Sequence, residues 1–366
     1  MSPSIRPTPV RFEHLDQGPG PVVVGRAAPR LSWRLPPDTP DTPEATVAEI
    51  ELTDDLVGRV HHHRVEGPQQ VLVDWPFAAM GSRARGRVRV RVRGVRGWTD
   101  WSEPTAFETP LLAGSDWSAR FVTPRTIGRI GDPAPVLAGA LELPGDVVHA
   151  RLHVSSLGVH VATLNGQRVG DHHLAPGWTT YPDRLRYRTH DVTAQLRAGA
   201  NTLEILLGNG WHRGRLGWEG VRAFYGDRLA ALAQLEVRCA DGSSHTLATD
   251  DTWTASPSGI LGDDLYDGQL TDLRGPGPAD PEPVDVLDED LGRLFPAGSP
   301  PVRVVARVAA RSVTRTPSGA QLVDFGENVV GWVRLRVRGG AAGDRVTVRH
   351  AEVLEGGELG VRPLRS

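Results

Sequence analysis

The sequence contains no lysine: all 41 of its basic residues are arginine, set against 44 aspartates and glutamates. The resulting formal net charge of −3 lacks the basic excess that binding to nucleic acid or to an anionic membrane requires. We therefore expect neither a nucleic acid nor a membrane among the partners. The absence of lysine itself indicates codon composition rather than a particular chemistry.

Cysteine is almost absent as well, since Cys239 is the only one among 366 residues. One cysteine excludes an intrachain disulfide framework. Residues 1–16 hold no apolar segment of the kind a signal peptide needs, and no run approaches the roughly eighteen apolar residues of a membrane helix. These features predict a soluble protein in a reducing, cytoplasmic setting. Cys239 falls on the apolar face of an alternating run, which predicts a buried thiol rather than a reactive one.

Familiar catalytic and metal-binding signatures are also missing. No G-x-S-x-G nucleophile elbow occurs. The adjacent histidines 61–63 have no acidic or cysteine partner at a known ligand spacing, so we interpret them as part of a solvated loop. Asp263, Asp264 and Asp267 form an acidic cluster, but an EF-hand loop requires a longer series that ends in glutamate. The sequence therefore places no metal site.

The chain does contain runs in which apolar and polar residues alternate with a period of two. Residues 87–93 read Arg-Val-Arg-Val-Arg-Val-Arg, which predicts a strand with valines facing inward and arginines facing outward. Similar runs lie at 136–143, 147–154, 159–164, 203–207 and 229–239. Asn165-Gly166 directly follows one of them and predicts a hairpin with a type I′ turn. Because no long helical periodicity appears, we expect an all-β fold.

We expect three β-domains along the chain. Residues 1–110 predict a small sandwich in which Trp33, Trp98 and Trp101 are packing aromatics. Residues 111–297 form the second domain and residues 298–366 the beginning of a third. In the third, 333–337 and 345–349 alternate again, whereas the proline-rich and acidic segment 275–300 predicts a surface loop at the boundary.

One stretch of the second domain combines aromatic faces with polar groups. A sugar site needs both, because an aromatic ring covers the apolar sugar face and fixed donors and acceptors orient the hydroxyls. The alternative is that these side chains pack between the sheets. The candidate carbohydrate-binding residues are Trp178, Tyr181, Asn209, Trp211, Arg213 and Trp218. We predict no catalytic residue. Glu327 and Glu352 are the glutamates to weigh for that role, and Glu352 is more simply explained as the partner of a nearby arginine.

Several strings resemble known proteins. LNGQRVGDHHLAPGWTTYPDRLRYRTHDVT (164–193) and LLGNGWHRGRLGW (206–218) resemble the N-terminal accessory domain of bacterial α-L-rhamnosidases, the inverting glycoside hydrolases that remove terminal L-rhamnose. APRLSWRL (28–35) and WTDWSEPTAFET (98–109) resemble the fibronectin-type-III-like start of the same enzymes. VDFGENVVGWVRLRV (323–337) and GDRVTVRHAEVLEGGEL (343–359) resemble the β-sandwich that precedes their catalytic barrel.

The resemblance implies a fold and a function. It implies a fibronectin-III-like sandwich, a galactose-binding-like jelly roll and the start of a further sandwich. In the family, chemistry belongs to an (α/α)6 barrel whose general acid lies in a motif of the kind Asp-x-x-x-Arg-x-Glu-Arg-x-Gly-Trp, and this sequence has no match to that motif. We therefore expect the non-catalytic N-terminal part of an α-L-rhamnosidase, truncated at its C-terminus.

The implied partners are a rhamnose-containing glycoside or polysaccharide and, in addition, a downstream catalytic chain. Some accessory domains of the family bind L-rhamnose through calcium, so calcium is the one cofactor that the resemblance allows, and otherwise we expect none. A stand-alone carbohydrate-binding or scaffold protein without hydrolytic activity is the alternative function. Whether the chain itself is an enzyme stays open at this point.

Overall fold

The computed structural model describes residues 6–15, 20–35, 47–94, 97–275 and 280–364. These residues fold almost entirely as β-strands, which confirms the all-β prediction; the helices among them are one four-residue α-helix and short 3-10 turns. The chain divides after Arg303 into two compact units. No helix within the described ranges is long and apolar enough to cross a membrane.

The first group of strands builds a small sandwich. Its main sheet has the order β2-β8-β6-β4-β5, with β7 paired to β6, and β1 pairs with β3 in a second layer. Phe12, Trp33 and Ile50 lie in the common core. The strands are β1 Arg11–Phe12, β2 Val22–Val23, β3 Leu31–Ser32, β4 Val47–Asp54, β5 Arg59–Glu66, β6 Arg85–Gly94, β7 Gly97–Trp98 and β8 Thr105–Glu108.

The central strand β6 has the predicted two-faced pattern. Its valines within 87–93 are buried in the core. On the opposite face Arg89 donates to Glu51 at 2.7 Å, and Arg91 donates to Glu49 at 2.8 Å. Each pair joins β6 to its neighbour β4, so the arginines that the sequence directs outward are fixed by cross-strand carboxylates.

The three tryptophans of this sandwich do not have the same role. Trp33 is buried in the core. Trp98 and Trp101 are partly exposed and cover the arginine face instead, with the Arg91 guanidinium carbon 4.9 and 4.7 Å from the two ring centres. All three therefore pack, but two of them do so through cation–π contacts.

Histidines 61–63 lie on the edge strand β5, so the predicted loop is wrong. β5 pairs along its whole length with β4, and the three residues are exposed. The rings of His61 and His63 lie 6.4 and 6.3 Å from that of Phe77. An edge strand needs one neighbour only and can be polar on both faces. It therefore lacks the alternation by which a strand is recognised in a sequence.

The second group of strands forms one continuous ladder with the order β13-β12-β15-β10-β18-β21-β9-β16-β11-β14-β22, and β17 pairs with β16. The strands are β9 Phe121–Pro124, β10 Pro135–Leu143, β11 Val147–Leu157, β12 Val159–Leu164, β13 Gln167–Arg168, β14 Leu185–Asp191, β15 Gly199–Gly208, β16 Ala230–Cys239, β17 Ser244–Ala248, β18 Thr254–Pro257, β21 Glu282–Leu287 and β22 Leu294–Pro296. A separate hairpin consists of β19 Ile260–Asp264 and β20 Gly268–Thr271.

This ladder folds over on itself around a shared core. Leu152 of β11 and Leu235 of β16 belong to the same buried cluster as Leu203 and Ile205 of β15. The Asn165-Gly166 turn between β12 and β13 has φ values of 52° and 74°, as a type I′ turn requires. The predicted hairpin is therefore confirmed.

The segment 275–300 is not only a surface loop, as the composition predicted. β21 lies within it and pairs with both β18 and β9, so it joins the two halves of the folded sheet. Val284 of β21 is buried in the core. This strand is hard to recognise in the sequence because it is rich in proline and acidic residues. One inward apolar side chain and backbone hydrogen bonds are enough to hold it in the sheet.

Strand β16 is covered on both faces. One face, which includes Leu235 and Cys239, points into the main core, as the alternation predicted. The other face carries Ala230 and Leu232 into a second cluster together with Tyr181 and Tyr187. Cys239 is 1% exposed, in line with the prediction of a buried thiol.

The second compact unit, residues 304–364 as described, contains two hairpins. They are β23 Ser312–Arg315 with β24 Gln321–Asp324, and β25 Leu354–Glu355 with β26 Glu358–Leu359. The alternating runs 333–337 and 345–349 form no ladder within these residues, and their apolar side chains are exposed. The prediction of strands in these two runs is therefore wrong for this unit. An alternating run forms a stable strand only with a neighbouring strand to pair with and a facing layer to cover its apolar side.

Two glycines in the second group of strands allow a matched test of its packing. A Cβ at Gly139 in β10 would lie 2.4 Å from the Trp253 ring, whereas a Cβ at Gly145 would have no atom within 4 Å. Trp253 is buried and its Nε1 donates to the Ala248 carbonyl oxygen at 2.9 Å. We predict that Gly139→Ala lowers the free energy of unfolding by about 1–3 kcal/mol. Gly145→Ala should leave it unchanged or raise it slightly.

Chemical denaturation of the two variants checks this prediction. Equal stabilities for Gly139→Ala and Gly145→Ala would show that the Trp253 ring is not held as described.

Candidate functional site

An aromatic surface lies on the second group of strands. It consists of Trp178, Trp211, Phe224 and Tyr225. The rings of Trp178 and Trp211 are stacked, with centroids 6.0 Å apart and planes 7° from parallel, and Trp178 is 52% exposed. The Trp178 Nε1 donates to the Tyr225 hydroxyl at 3.3 Å. Phe224 packs edge-on against Tyr225 and is itself exposed.

The chain folds locally so that Trp211 reaches this surface. β15 ends in Gly208-Asn209-Gly210, and the four-residue helix α1 Gly210–Arg213 follows at once. Gly210 has φ +51°, and a Cβ there would lie 2.6 Å from Val159. A glycine is therefore needed where the chain turns from the strand into the helix.

Asn209 and Arg213 hold this turn in place. The Asn209 backbone N–H donates to Asp263 Oδ2 at 2.6 Å, and its amide group donates to the Asp263 carbonyl oxygen at 2.7 Å. Arg213 Nε donates to Asn209 Oδ1, and its Nη1 donates to the Gly128 carbonyl oxygen. Burial raises the pKa of the Asp263 carboxyl and lowers that of the Arg213 guanidinium. The two groups are thus fixed in the structure by hydrogen bonds and are partly or fully removed from water.

Tyr181 supports the aromatic surface from behind. Its side chain is 1% exposed and its ring lies 5.0 Å from that of Tyr225 and 5.1 Å from that of His212. Burial lowers the pKa of His212 to about 4, so this ring is neutral at neutral pH. The rings that lie directly beneath Tyr225 are therefore uncharged.

Trp218 lies on the loop between Gly217 and Gly220 and is 84% exposed. Ion pairs hold the segment that contains this loop. Arg222 donates to Asp264 at 2.9 Å and to Asp267 at 2.5 Å, and Arg215 also pairs with Asp267.

The acidic cluster of the sequence is thereby accounted for. Asp263, Asp264 and Asp267 accept hydrogen bonds from amide and guanidinium groups, and these donors occupy the oxygens that calcium would need. The cluster does not fit a calcium ion. In the described part of the chain, no group of three or more His, Cys, Asp or Glu side chains is placed to hold a metal.

The structure thus separates the six predicted residues into two sets. Trp178, Trp211 and Trp218 present ring surface to solvent, and the first two form one site. Tyr181, Asn209 and Arg213 lie beneath or beside it and are partly or fully buried. Sequence reasoning missed Phe224 and Tyr225, although the two adjacent aromatics in a glycine-rich segment were the available signal.

The glutamates weighed as catalytic candidates belong to the second compact unit. Glu327 and Glu352 are exposed in the second compact unit. In the same unit Glu355 pairs with Arg362 at 3.3 Å, and Glu358 accepts from the Ser318 backbone N–H at 2.6 Å. Pairing with arginine or with the backbone is a structural use of a carboxylate.

Two buried histidines lie within the second group of strands. His153 is on β11 and His160 on β12, and the rings contact Thr189 and Ser156 hydroxyls at 2.9 Å. Burial lowers the pKa of His153 to about 4 and that of His160 to about 3. Both rings are therefore neutral in the folded protein across the ordinary pH range.

Three family models match successive parts of the chain. The Rha78A-like N-terminal immunoglobulin domain matches residues 7–113. The alpha-L-rhamnosidase N-terminal domain matches residues 145–306. The bacterial alpha-L-rhamnosidase concanavalin-like domain matches residues 314–366.

Individual relatives agree with these matches. An alpha-L-rhamnosidase of Streptomyces avermitilis is 39% identical over 274 residues, which is 70% of this chain and 26% of that protein. One from an Alteromonas species is 27% identical over 91% of this chain and 39% of its own length. The crystal structure of the Aspergillus terreus alpha-L-rhamnosidase has a TM-score of 0.86 at 33% identity, covering 99% of this chain and 43% of that one. The chain thus spans between 26% and 43% of these relatives.

Asn209 offers a test of how the aromatic surface is supported. Replacing Asn209 by alanine leaves the Arg213 guanidinium and the Asp263 carboxylate each without one buried hydrogen bond. We predict a loss of roughly 2 kcal/mol in the free energy of unfolding. Trp218→Ala, on the neighbouring exposed loop, should change it by less than about 0.5 kcal/mol. Thermal and denaturant unfolding of both variants measure the difference, and an Asn209→Ala protein as stable as Trp218→Ala would refute the supporting role.

The buried histidines generate a pH prediction. Their pKa values are depressed by folding, so only the unfolded chain takes up protons as the pH falls below about 6.5. Stability is therefore fully present above pH 6.5 and is lost progressively below it. As the pH falls from 6.5 to 5, His153 and His160 should each lower the free energy of unfolding by roughly 1–2 kcal/mol.

Denaturant unfolding from pH 7.5 to 5 measures this slope. His160→Gln should give a shallower slope, by about one proton. Identical slopes in the variant and the unchanged protein would contradict the assignment.

Proposed function

The chain belongs to the α-L-rhamnosidase family, whose N-terminal domains it contains, and we propose that the whole protein hydrolyses terminal α-L-rhamnosides. The observation that carries this proposal is the order of the three family matches, which follow one another over residues 7–366. One aligned structure, the Aspergillus terreus alpha-L-rhamnosidase, covers nearly all of the chain. The rhamnose-containing substrate is thus proposed from the relatives.

Within this function, we assign the chain no part in breaking the glycosidic bond. An inverting glycosidase needs two carboxylates on opposite sides of the sugar, far enough apart to admit a water molecule. The exposed glutamates of the second compact unit belong to hairpins and loops, and the general-acid motif is absent from the sequence. The chain instead supplies binding and support.

The aromatic surface is the proposed contact with rhamnose-containing substrate. A 6-deoxy sugar has an apolar face and a methyl group that suit an exposed indole ring, while its hydroxyls require polar partners. Trp178 presents such a ring, which is held flat by its stack on Trp211. Trp218 extends the same proposal to the neighbouring loop.

The proposed site also includes three residues that support the exposed rings without presenting a surface of their own: Tyr181, Asn209 and Arg213. Their hydrogen bonds and packing fix the turn that carries Trp211 and the layer beneath Tyr225. Fixed rings favour binding because little side-chain entropy is then lost when a ligand binds. The division of the chain into domains at about residues 110 and 297, which the sequence predicts, is also part of the proposal.

The test uses the purified 366-residue chain with two measurements. Incubation with a chromogenic aryl α-L-rhamnoside should give no turnover. Titration with L-rhamnose, followed by tryptophan fluorescence and calorimetry, should give saturable binding. Trp178→Ala should weaken that binding about tenfold, which corresponds to about 1.4 kcal/mol, without lowering the melting temperature by more than a few degrees.

Trp101→Ala is the matched control, because Trp101 is also a partly exposed tryptophan but covers the arginines of the first sandwich. It should leave rhamnose binding unchanged. Turnover by the chain would overturn the assignment of a non-catalytic role. Absence of binding would remove the aromatic surface as a sugar site. Binding by a protein whose gene encodes no catalytic barrel would favour the alternative of a stand-alone carbohydrate-binding protein.

A further inference from the structure

A second polar site lies where the first sandwich meets the second group of strands. Here a cavity of about 290 Å³ has walls from β6 and β8 on one side and from β11 and β16 on the other. This volume is several times the roughly 30 Å³ that one water molecule occupies in the liquid. The cavity therefore has room for a small organic molecule.

The lining is rich in charge, and most of that charge is paired. Arg83 donates to both carboxylate oxygens of Glu236, at 2.8 and 2.6 Å. Arg151 Nε donates to Glu108 at 2.5 Å. Glu108 and Glu236 are the acidic residues among those that line the cavity, so each lining carboxylate already has an arginine of its own.

Two lining arginines are left over. Arg85, at the start of β6, donates from Nη2 to Nδ1 of His149 at 2.9 Å, and among the described residues it has no carboxylate within ion-pair distance. Arg238, which lies opposite His149 in the pairing of β11 with β16, likewise has no ion pair with a described residue. Among the lining side chains, arginines therefore outnumber carboxylates by two. Two further carboxylates outside the lining, Asp116 and Asp191, pair with Arg83 and Arg151, so Arg85 and Arg238 are the lining arginines that have no carboxylate of their own within the described ranges.

The neighbouring His149 ring is neutral and does not offset the charge of the two arginines. Arginine is only a donor, so Nδ1 of His149 must accept the hydrogen bond from Arg85, and the neutral ring then carries its proton on Nε2. Nε2 is buried and has no acceptor among the described residues. Burial together with Arg151 and Arg85 lowers the pKa of His149 to about 4, so the ring stays neutral beside the two cations.

We propose that this cavity binds a small oxyanion, a carboxylate or phosphate group, on Arg85 and Arg238 beside His149. Arg85 is half-buried and donates to a neutral acceptor, His149, but has no counter-ion in the described part of the chain, so its lost hydration is compensated only in part. The planar fork of arginine suits the paired oxygens of a carboxylate or phosphate. Since the two arginines come from different sandwiches, the bound anion would join the two walls of the cavity.

The experiment is thermal unfolding and calorimetric titration of the full chain at constant ionic strength. Sodium phosphate and sodium glucuronate are the probes, and sodium chloride is the reference salt. We expect a saturable rise of roughly 2–4 °C in melting temperature with at least one probe. A rise in melting temperature with phosphate but not with glucuronate indicates a phosphate site. A rise with glucuronate but not with phosphate indicates a site for a sugar acid.

Arg85→Gln and Arg238→Gln should each weaken the binding about tenfold. The matched control is Arg87→Gln, which lies on the same strand and removes the same charge but pairs with Asp55 at 2.8 Å, outside the cavity. Arg238 is exposed, so its variant keeps the test available if Arg85→Gln does not fold. No saturable effect beyond that of chloride, or equal affinities in all variants, would overturn the proposal.

Discussion

The buried ion pair between Arg151 and Glu108 determines how the first sandwich meets the second group of strands. Its side chains are only 9% and 6% exposed, and Nε and Oε1 lie 2.5 Å apart. Arg151 also donates to the Ala150 carbonyl oxygen at 2.8 Å and pairs with Asp191 at 3.0 Å. A buried ion pair adds little net stability, but neither partner can be left alone without a large cost. The junction therefore keeps Glu108 of β8 against Arg151 of β11.

The same sheet also carries the aromatic surface, on the face of β11 that Arg151 shares with Leu157. β11 pairs with both β14 and β16, and the outer face of these strands contributes Leu157, Tyr187 and Leu232 to the cluster that underlies Tyr225. Burial on both faces constrains these strands. A rigid support of this kind is what a surface of stacked rings requires if it is to bind a ligand without reordering.

Much of this arrangement could be predicted from sequence where one physical signal dominates. The valines of β6, the Asn165-Gly166 turn and the burial of Cys239 each follow from a single local rule. β5 and β21 could not be found in this way, because their pairing partners are distant in sequence and their side chains alternate weakly. The aromatic residues were recognised as a group, yet only tertiary contacts separate Trp178, which is exposed, from Tyr181, which is buried three residues later. Phe224 and Tyr225 join the surface through a loop whose path is fixed by Arg222 and two aspartates.

The burial of Cys239 has a consequence for how the molecule can be observed. It is the one thiol in the chain, it lies near the end of β16, and its side chain is directed into the main core. A thiol reagent can reach it only after the β16–β11 ladder opens, so the labelling rate reports the opening of this sheet. The native sequence therefore carries its own kinetic probe, at a position where an engineered reporter would disturb the packing.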